Sequence, residues 1–184
     1  MLKELDLNIE YDKLVTDVEL LGINKFLNTN YNQMSVQHRG VTGDIQYKES
    51  CNSLFYDWDR YDPSIHTEVP LKREKLSEDT FNITCDIFKD TYTGYVIDLL
   101  KTRFNVYRGR YMQLKYKNCL SMHTDETKRL HIPLITNPDA FMVIDNKVYT
   151  LPFGKAYIAD TTFNHTAINA GKKDRLHLVF CCKD

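Results

Sequence analysis

The sequence lacks several features that would assign it directly to a class of protein. None of its five cysteines falls in a Cys-x-x-Cys pair, which argues against a cysteine zinc site and against a disulfide framework. No apolar run approaches the length that crosses a membrane, and the opening MLKELDLNIEYDKL has no apolar signal core. No glycine-rich phosphate loop is present, and 24 Lys and Arg balance 25 Asp and Glu. We therefore predict a cytoplasmic protein with reduced thiols and with neither a nucleic-acid nor a membrane partner.

The chain has the size and composition of an ordinary soluble globular protein. It contains 184 residues, of which 42% are hydrophobic and 27% charged. This length favours a single domain over residues 1–184 with a sizeable core. Within it we distinguish a helical and loop-rich support region, 1–105, from a strand-rich core, 106–184.

Two segments of the support region have helical periodicity. In residues 11–21, Leu14, Val18 and Leu21 recur at the spacing of one helix face. Residues 90–104, DTYTGYVIDLLKTRF, have the same pattern, with Tyr92, Tyr95, Val96, Leu99 and Leu100 on the predicted apolar face.

After residue 105 the hydrophobic period changes from 3.6 to 2. Short strand-like runs follow one another, including NVYRGRYMQLKYK, RLHIPLIT, FMVID, KVYTLP and RLHLVF. Asp145-Asn146 between two of them is a candidate hairpin turn. Because the runs leave no room for crossover helices, they predict an antiparallel barrel or sandwich. The predicted fold class is mainly β: a jelly roll, or cupin-like double-stranded β-helix, braced by N-terminal helices.

The stretch HTDETKRLHIPL, residues 123–134, carries a candidate metal site. His123 and Asp125 lie two residues apart at the entry of a strand, and His165 follows 40 residues after Asp125 at the mouth of another. Two histidines and one carboxylate are the donor set of non-haem Fe(II) oxygenases, which leaves metal positions open for catalysis. The alternative is that these are solvated loop residues.

Arginines on two strands indicate an anionic ligand beside this site. Arg175 opens the last apolar strand, and an arginine that enters a barrel interior is costly unless it meets an anion. Arg129-Leu130-His131 repeats the Arg-Leu-His pattern, so the two strands together suit a dicarboxylate. The alternative is that each arginine lies at the rim and pairs with a nearby acid, such as Asp174 for Arg175.

Other residues are weaker candidates. Gln37, His38 and Arg39 lie in a polar stretch before two glycines and could contact a substrate or form a surface turn. Trp58 could line a substrate mouth or be half-buried packing. The remaining candidates are ambiguous in the same way: Arg108 and Arg110 fit a solvated sheet face or substrate binding, and His177 fits the pocket or the core.

These residues carry a resemblance to a known family. The run R-h-H-h-P-h-h-T-N-P (h, hydrophobic) beginning at Arg129, together with the later histidine and Arg175 strand, resembles the catalytic core of the aspartyl/asparaginyl β-hydroxylase family of Fe(II)/2-oxoglutarate dioxygenases. That family includes bacterial proline hydroxylases. The similarity covers residues 106–181, and Asp125 follows the bacterial amino-acid hydroxylases, since some animal members have glycine there.

The resemblance implies a double-stranded β-helix that binds Fe(II) through His123, Asp125 and His165. It implies that Arg175 holds the distal carboxylate of 2-oxoglutarate, with Arg129 and His131 against the chelating end or the substrate. Dioxygen would be the other co-substrate. The animal enzymes place a serine where this chain has Met112, so the residue that assists Arg175 is open among Gln113, Tyr111 and Tyr116.

We accordingly predict an Fe(II)/2-oxoglutarate-dependent dioxygenase that hydroxylates an amino acid, free or within a peptide or protein. The chain would act as a monomer or homodimer on a small amino-acid or peptide substrate. One alternative is a cupin-like metal-binding isomerase or sensor that uses the same triad without 2-oxoglutarate. Another is a non-catalytic binding barrel. Neither alternative requires Arg175 and Arg129.

Overall fold

The computed structural model describes residues 1–29, 32–51, 54, 56–57, 71–72 and 75–183. The helices are α1 (Tyr11–Leu20), α2 (Ile23–Thr29), α3 (Gln46–Glu49) and α4 (Tyr92–Arg103), with 3₁₀ turns at Gly43–Ile45, Glu78–Thr80 and Asp86–Phe88. The strands are β1 (Leu2–Leu5), β2 (Gln33–Ser35), β3 (Gln37–His38), β4 (Tyr56–Asp57), β5 (Leu71–Lys72), β6 (Ile83–Thr84), β7 (Asn105–Leu114), β8 (Asn118–Cys119), β9 (Lys128–Ile135), β10 (Ala140–Ile144), β11 (Lys147–Thr150), β12 (Ala156–Ala159), β13 (His165–Asn169) and β14 (Arg175–Lys183).

Two antiparallel sheets form the double-stranded β-helix. The larger sheet has the strand order β1-β12-β9-β14-β7-β2, and the smaller has the order β11-β10-β13-β8. The hairpin between β10 and β11 turns at Asp145 and Asn146, whose φ angles of 49° and 59° are those of a type I′ turn. The prediction of a mainly β, cupin-like fold with N-terminal helices is confirmed.

The larger sheet is buried on both faces, and the two faces differ in chemistry. Leu130, Ile132 and Leu134 of β9 point to the helices. The main core cluster lies on this face, with Leu14 and Val18 of α1, Val96, Ile97 and Leu100 of α4, and Leu176, Leu178 and Phe180 of β14. The alternate residues of the same strands point toward the smaller sheet and are mostly charged or polar. That polar face forms one wall of the cavity described below.

In the support region the structure differs from the sequence prediction in the exposure of one helix residue and in the presence of two strands. Both predicted helices are present, but Tyr95 is 54% exposed because it lies on the solvent side of α4. Strands β1 and β2, from the predicted support region, belong to the larger sheet, where β1 pairs with β12 and β2 with β7. The division into one domain with two regions stays a prediction. Among the described residues, no helix is long and apolar enough to cross a membrane.

One close approach fixes the position of two arginines on β7. Gly109 lies between Arg108 and Arg110, and a Cβ added there would come within 2.4 Å of the Phe180 ring and 2.6 Å of Val36. Arg108 itself has a left-handed φ of 51°. The register between β7 and β14 shifts here, at a point where only glycine fits against its neighbours.

Candidate metal centre and cavity

His123, Asp125 and His165 lie together between the two sheets. Their nearest donor atoms all lie within 4.8 Å of one another. His165 Nε2 is 3.5 Å from Asp125 Oδ2, and the two imidazole centroids are 4.3 Å apart. The structure thus brings together the three residues that the sequence pattern selected.

The backbone holds the two histidines in one orientation. His123 and His165 form an isolated antiparallel bridge, in which each N–H donates to the other's carbonyl oxygen at 3.0 and 2.8 Å. In each ring, Nδ1 lies within hydrogen-bond distance of the carbonyl oxygen two residues earlier, 2.7 Å from Ser121 and 3.0 Å from Phe163. A carbonyl only accepts, so Nδ1 carries the proton of the neutral ring. The Nε2 lone pairs are left for a metal.

Asp125 is held at both its backbone and its carboxylate. Its N–H donates to the Thr161 carbonyl at 2.8 Å. Its Oδ1 accepts a hydrogen bond from Arg129 Nη2 at 2.9 Å, while Oδ2 faces His165. One oxygen is therefore anchored to the protein and the other is directed into the cluster.

The donor set and its protonation suit a divalent transition metal. Burial lowers the pKa of His165, although its hydrogen bond to the Phe163 carbonyl and the charge of Asp125 oppose this. A lowered pKa keeps the imidazole neutral, as a ligand must be. A donor set of two imidazoles and one carboxylate fits Fe(II) better than magnesium or calcium, which prefer oxygen ligands.

A cavity of about 160 Å³ lies beside this cluster. Its apolar lining comes from Met112, Leu120, Met142, Ala167 and Val179. Its polar lining beyond the cluster is mainly basic and consists of Arg108, Arg110, Arg129, His131, Arg175, His177 and Thr161.

Arg175 is a buried cation without an acidic partner among the described residues. Its side chain contacts His177, with Nε 2.9 Å from Nε2 and Nη2 2.8 Å from Nδ1, and no described carboxylate pairs with it. Asp174 instead pairs with Lys115 at 3.2 Å and accepts from the Tyr116 N–H. Burial lowers the pKa of Arg175 to about 10. A buried guanidinium with neutral neighbours is costly in free energy, and an anionic ligand would offset that cost.

Two further histidines line the same wall. Burial, followed by the positive charge of Arg175, holds the pKa values of His131 and His177 well below the usual 6.5. Their Nδ1 atoms are 3.4 Å apart, and their rings meet edge to face at 5.6 Å. His131 Nε2 is buried without a hydrogen-bond partner among the described residues. Such an orphaned polar atom in a cavity wall indicates a ligand or water that completes it.

The four arginines of the cavity fall into two pairs. Arg108 and Arg129 share the carboxylate of Glu78, and Arg129 also contacts Asp125. Arg110 resembles Arg175, because it has no acidic partner among the described residues: its Nη1 donates to Gln33 Oε1 at 3.2 Å and its buried Nε has no partner. Burial, and next the charge of Arg108, lowers the pKa of Arg110 to about 10.

Comparison with known proteins decides the family. The model of the aspartyl/asparaginyl β-hydroxylase family matches residues 30–184. The chain belongs to this family. No curated protein matches the chain by sequence.

The chain also matches solved structures at low sequence identity. A cupin domain from Bordetella pertussis Tohama I is 15% identical over 43% of this chain and 82% of that one, with a TM-score of 0.37. A protein from Photorhabdus luminescens is 18% identical over 41% of this chain and 61% of that one, with a TM-score of 0.36. A 2OG-Fe(II) oxygenase family oxidoreductase from Burkholderia pseudomallei is 11% identical over 97% and 93%, with a TM-score of 0.41.

Of the weaker sequence candidates, Arg108, Arg110 and His177 line the cavity of this β-hydroxylase family member, whereas Gln37, His38 and Arg39 lie away from it. Gln37 is buried and accepts from the Gly109 N–H at 2.9 Å, and His38 Nδ1 accepts from the Gly40 N–H at 3.2 Å. Arg39 pairs with Glu49 at 2.6 Å. None of the three lines the cavity. Trp58 lies outside the described residues.

The residues considered as helpers of Arg175 also have other partners. The Tyr111 hydroxyl lies 2.7 Å from the Thr93 hydroxyl on the helix side of the sheet, and Gln113 donates to Asp174 at 3.2 Å. Tyr116 is 56% exposed. His177 is the side chain that contacts Arg175. It follows two residues later on the same strand, so strand periodicity alone places both on one face.

Glu78 is the residue of this region that sequence reasoning missed. It lies in a 3₁₀ turn within a charged stretch, and its partners follow 30 and 51 residues later. Although burial raises its pKa, the charge of Arg129 and the hydrogen bond and charge of Arg108 lower it to about 2. Glu78 is therefore a carboxylate at any ordinary pH.

Proposed function

We propose that this protein is an Fe(II)- and 2-oxoglutarate-dependent dioxygenase that hydroxylates an amino acid, free or as a residue in a peptide or protein. The observation that carries the proposal is the shared cavity of the His-Asp-His cluster and Arg175. A metal-binding barrel alone requires the cluster but not a buried arginine that no described carboxylate pairs with. Family membership supports a hydroxylase-type oxidoreductase.

His123, Asp125 and His165 would hold the iron. When bound, Fe(II) with 2-oxoglutarate and dioxygen supplies oxidative decarboxylation to succinate and carbon dioxide, coupled to insertion of one oxygen atom into a C–H bond. The protein contributes ligand orientation. The Ser121 and Phe163 carbonyls accept from the Nδ1 protons and so fix the tautomers.

Arg175 would bind the distal carboxylate of 2-oxoglutarate. Its planar guanidinium suits a carboxylate bidentately, and its present neighbour, His177, is held neutral by its lowered pKa. The buried Nε2 of His131 lies on the neighbouring strand and would hydrogen-bond to the chelating end of the co-substrate. Arg129, which was predicted to share this role, already pairs with Glu78 and Asp125, so we assign it to the support of Asp125.

The position of Arg110 favours a substrate that carries a carboxylate, which Arg110 would bind. It faces the same cavity from the far side of β14, because Val179 of β14 pairs with Arg110 on one side and with His131 on the other. The distance across two strand spacings is about 10 Å, enough to separate a second anion from the co-substrate. A cavity of about 160 Å³ suits a small ligand, so an amino acid, free or at an accessible position of a peptide, is the favoured class.

The surrounding side chains would keep water from the reacting groups. Leu120, Met142 and Ala167 line the cavity from the smaller sheet and its edge, and Val179 lines it from the larger. Such an apolar lining strengthens the charge interactions of Arg175 and Arg110 because it lowers the local dielectric constant.

The test is co-substrate turnover in the presence of candidate substrates. Purified protein is incubated with Fe(II), 2-oxoglutarate and pools of free amino acids or short peptides, and both succinate and product mass are measured. We expect succinate that depends on Fe(II), and a product that gains one oxygen in matching amount. The control is His165→Ala, which should produce neither. Stoichiometric metal binding with no 2-oxoglutarate turnover under any condition would instead favour the metal-binding isomerase or sensor.

A further inference from the structure

A buried ion-pair chain connects the support region to the metal cluster. Glu78 Oε1 lies 2.7 Å from Arg108 Nη1 and 3.1 Å from Arg129 Nη2. The same Nη2 of Arg129 lies 2.9 Å from Asp125 Oδ1. Positive and negative charges therefore alternate along one line that ends at a metal-ligand carboxylate. The side chains of Arg108, Glu78 and Arg129 are 10%, 6% and 7% exposed.

Glu78 has further contacts that fix its carboxylate. Its Oε2 accepts from the Thr127 hydroxyl at 3.0 Å and lies 3.4 Å from Arg129 Nη1. Thr127 is tied in turn to the cluster's surroundings, since its carbonyl accepts from the Thr161 hydroxyl at 2.7 Å. Thr161 is the residue whose carbonyl accepts from the Asp125 N–H. Both the side chain and the backbone of Asp125 are thus linked to the surroundings of Glu78.

The charge balance around Arg129 shows what Glu78 does. One guanidinium lies between two carboxylates, so its charge is shared between Glu78 and Asp125. If Glu78 were neutral, Asp125 would be the remaining described carboxylate paired with Arg129. The arginine would then attract Asp125 more strongly and compete with a metal for its electron density. Loss of a nearby negative charge would also weaken the binding of any cation at the cluster.

We propose that Glu78 is a positioning residue for the metal centre, which acts through Arg129 to leave Asp125 Oδ2 available for the metal. The inference rests on the proposed function only in the identity of the metal. It adds a residue of the N-terminal support region to the determinants of metal affinity. A purely structural role, in which Glu78 only neutralises buried arginines, would lower stability and leave metal affinity unchanged.

The first experiment compares metal affinity in two matched variants. Glu78→Gln keeps the shape and one acceptor oxygen but removes the charge. Glu49→Gln removes the charge of another buried carboxylate of the N-terminal part, which pairs with Arg39 and has no contact with the cluster. Co(II) is titrated into each metal-free protein, and its visible absorption reports both affinity and ligand arrangement.

We expect Glu78→Gln to weaken Co(II) binding by about tenfold or more, the loss typical of groups behind metal ligands. The absorption spectrum should change as well, because the position of Asp125 changes. Glu49→Gln should bind Co(II) as the wild type does. An affinity and spectrum like those of the wild type in Glu78→Gln would overturn the proposal. If the wild-type protein itself binds no Co(II), the proposed function fails instead.

A second pair of variants separates positioning from stability. Glu78→Gln combined with Arg108→Gln removes one buried charge of each sign, so the net buried charge stays that of the wild type. This double variant keeps the test possible if Glu78→Gln alone folds poorly. Arg129 still loses its second carboxylate, and Co(II) affinity should fall as in Glu78→Gln. In an Arg129→Gln background, Glu78→Gln should have little further effect, because Glu78 acts through Arg129. If the losses of Co(II) affinity caused by Glu78→Gln and Arg129→Gln simply add, Glu78 does not act through Arg129.

Discussion

His123 and His165 are joined by two backbone hydrogen bonds, although they lie on different segments of the β-helix. The backbone therefore sets the separation of the two imidazoles, and the carbonyls of Ser121 and Phe163 set their rotation. Asp125 follows His123 by two residues and is held separately by Thr161. The candidate metal centre is thus preorganised by main-chain contacts, which side-chain substitutions at its three residues do not remove.

This arrangement predicts the result of removing one ligand. His165→Ala keeps both backbone hydrogen bonds of the bridge, so the metal-free protein should fold and melt close to the wild type. Metal affinity should fall by more than about a hundredfold, beyond the losses typical of groups behind the ligands. Metal content after dialysis and a circular-dichroism melt are the measurements, with His38→Ala as a buried histidine control. Retention of stoichiometric Fe(II) by His165→Ala would show that the cluster is not the metal site.

Arg175 allows a prediction in which stability and binding change in opposite directions. Arg175→Ala removes a buried charge that has no described acidic partner, so the free energy of unfolding of the ligand-free protein should stay constant or rise. The 2-oxoglutarate requirement should rise, since truncation of one member of a buried charge pair costs about 2–5 kcal/mol. That cost corresponds to about 30-fold to several thousand-fold in affinity.

The measurements for Arg175 are denaturant unfolding without ligand and succinate formation against 2-oxoglutarate concentration. Arg103→Ala, at an exposed arginine of α4, is the control and should change neither. Iron content should be the same in all three proteins. An unchanged 2-oxoglutarate dependence in Arg175→Ala would assign the carboxylate to another arginine.

The fold and the proximity of His123, Asp125 and His165 could be predicted because their signals are local. Leu130, Ile132 and Leu134 alternate with polar residues at the period of a strand, and the turn at Asp145-Asn146 needs only its own two residues. The pairing of His123 and Asp125 required only a spacing of two. His165 required one further assumption, that the barrel returns to the same end.

The charges of the cavity wall could not be predicted in the same way. Arg108 and Arg110 alternate on β7, and such a pattern fits a solvated face equally well until the smaller sheet is known to cover it. Glu78 is distant in sequence from both of its arginines, and an ion pair of this range leaves no periodic signal. For the same reason the pairing of Arg129 with Glu78 required the structure.

The buried histidines predict how stability depends on pH. The pKa values of His131 and His177 lie well below 6.5 in the folded protein because of burial and the charge of Arg175. The unfolded chain binds protons at these residues below about pH 6.5, where the folded protein does not, so stability falls as pH decreases from there. Between pH 6.5 and 5.5 each histidine contributes about 1 kcal/mol, and the slope approaches about 1.4 kcal/mol per pH unit at lower pH. Above about pH 6.5 the two residues should have no effect.

Unfolding of the metal-free protein by urea at pH 7.5, 6.5 and 5.5 measures this dependence. His177→Gln should reduce the slope between the last two values by the share of one histidine. Glu78 does not interfere in this range, because its pKa is lowered from 4.5 to about 2, and its contribution is lost only as pH falls below about 4.5. A stability that is constant from pH 7.5 to 5.5 would contradict the burial of neutral histidines.

Arg110 provides the test of the substrate class. If it binds the substrate carboxylate, Arg110→Ala should lower kcat/KM for the amino-acid substrate by about 30-fold or more, from the cost of about 2–5 kcal/mol for truncating one member of a buried charge pair. Succinate formed from 2-oxoglutarate without substrate should persist, since Arg175 and the metal ligands are unchanged. Arg110→Lys keeps the charge but not the planar fork, so it should restore only part of the loss. If Arg110→Ala lowers succinate formation equally with and without substrate, Arg110 binds the co-substrate instead. Full activity of Arg110→Ala on free amino acids would contradict binding of the substrate carboxylate by Arg110.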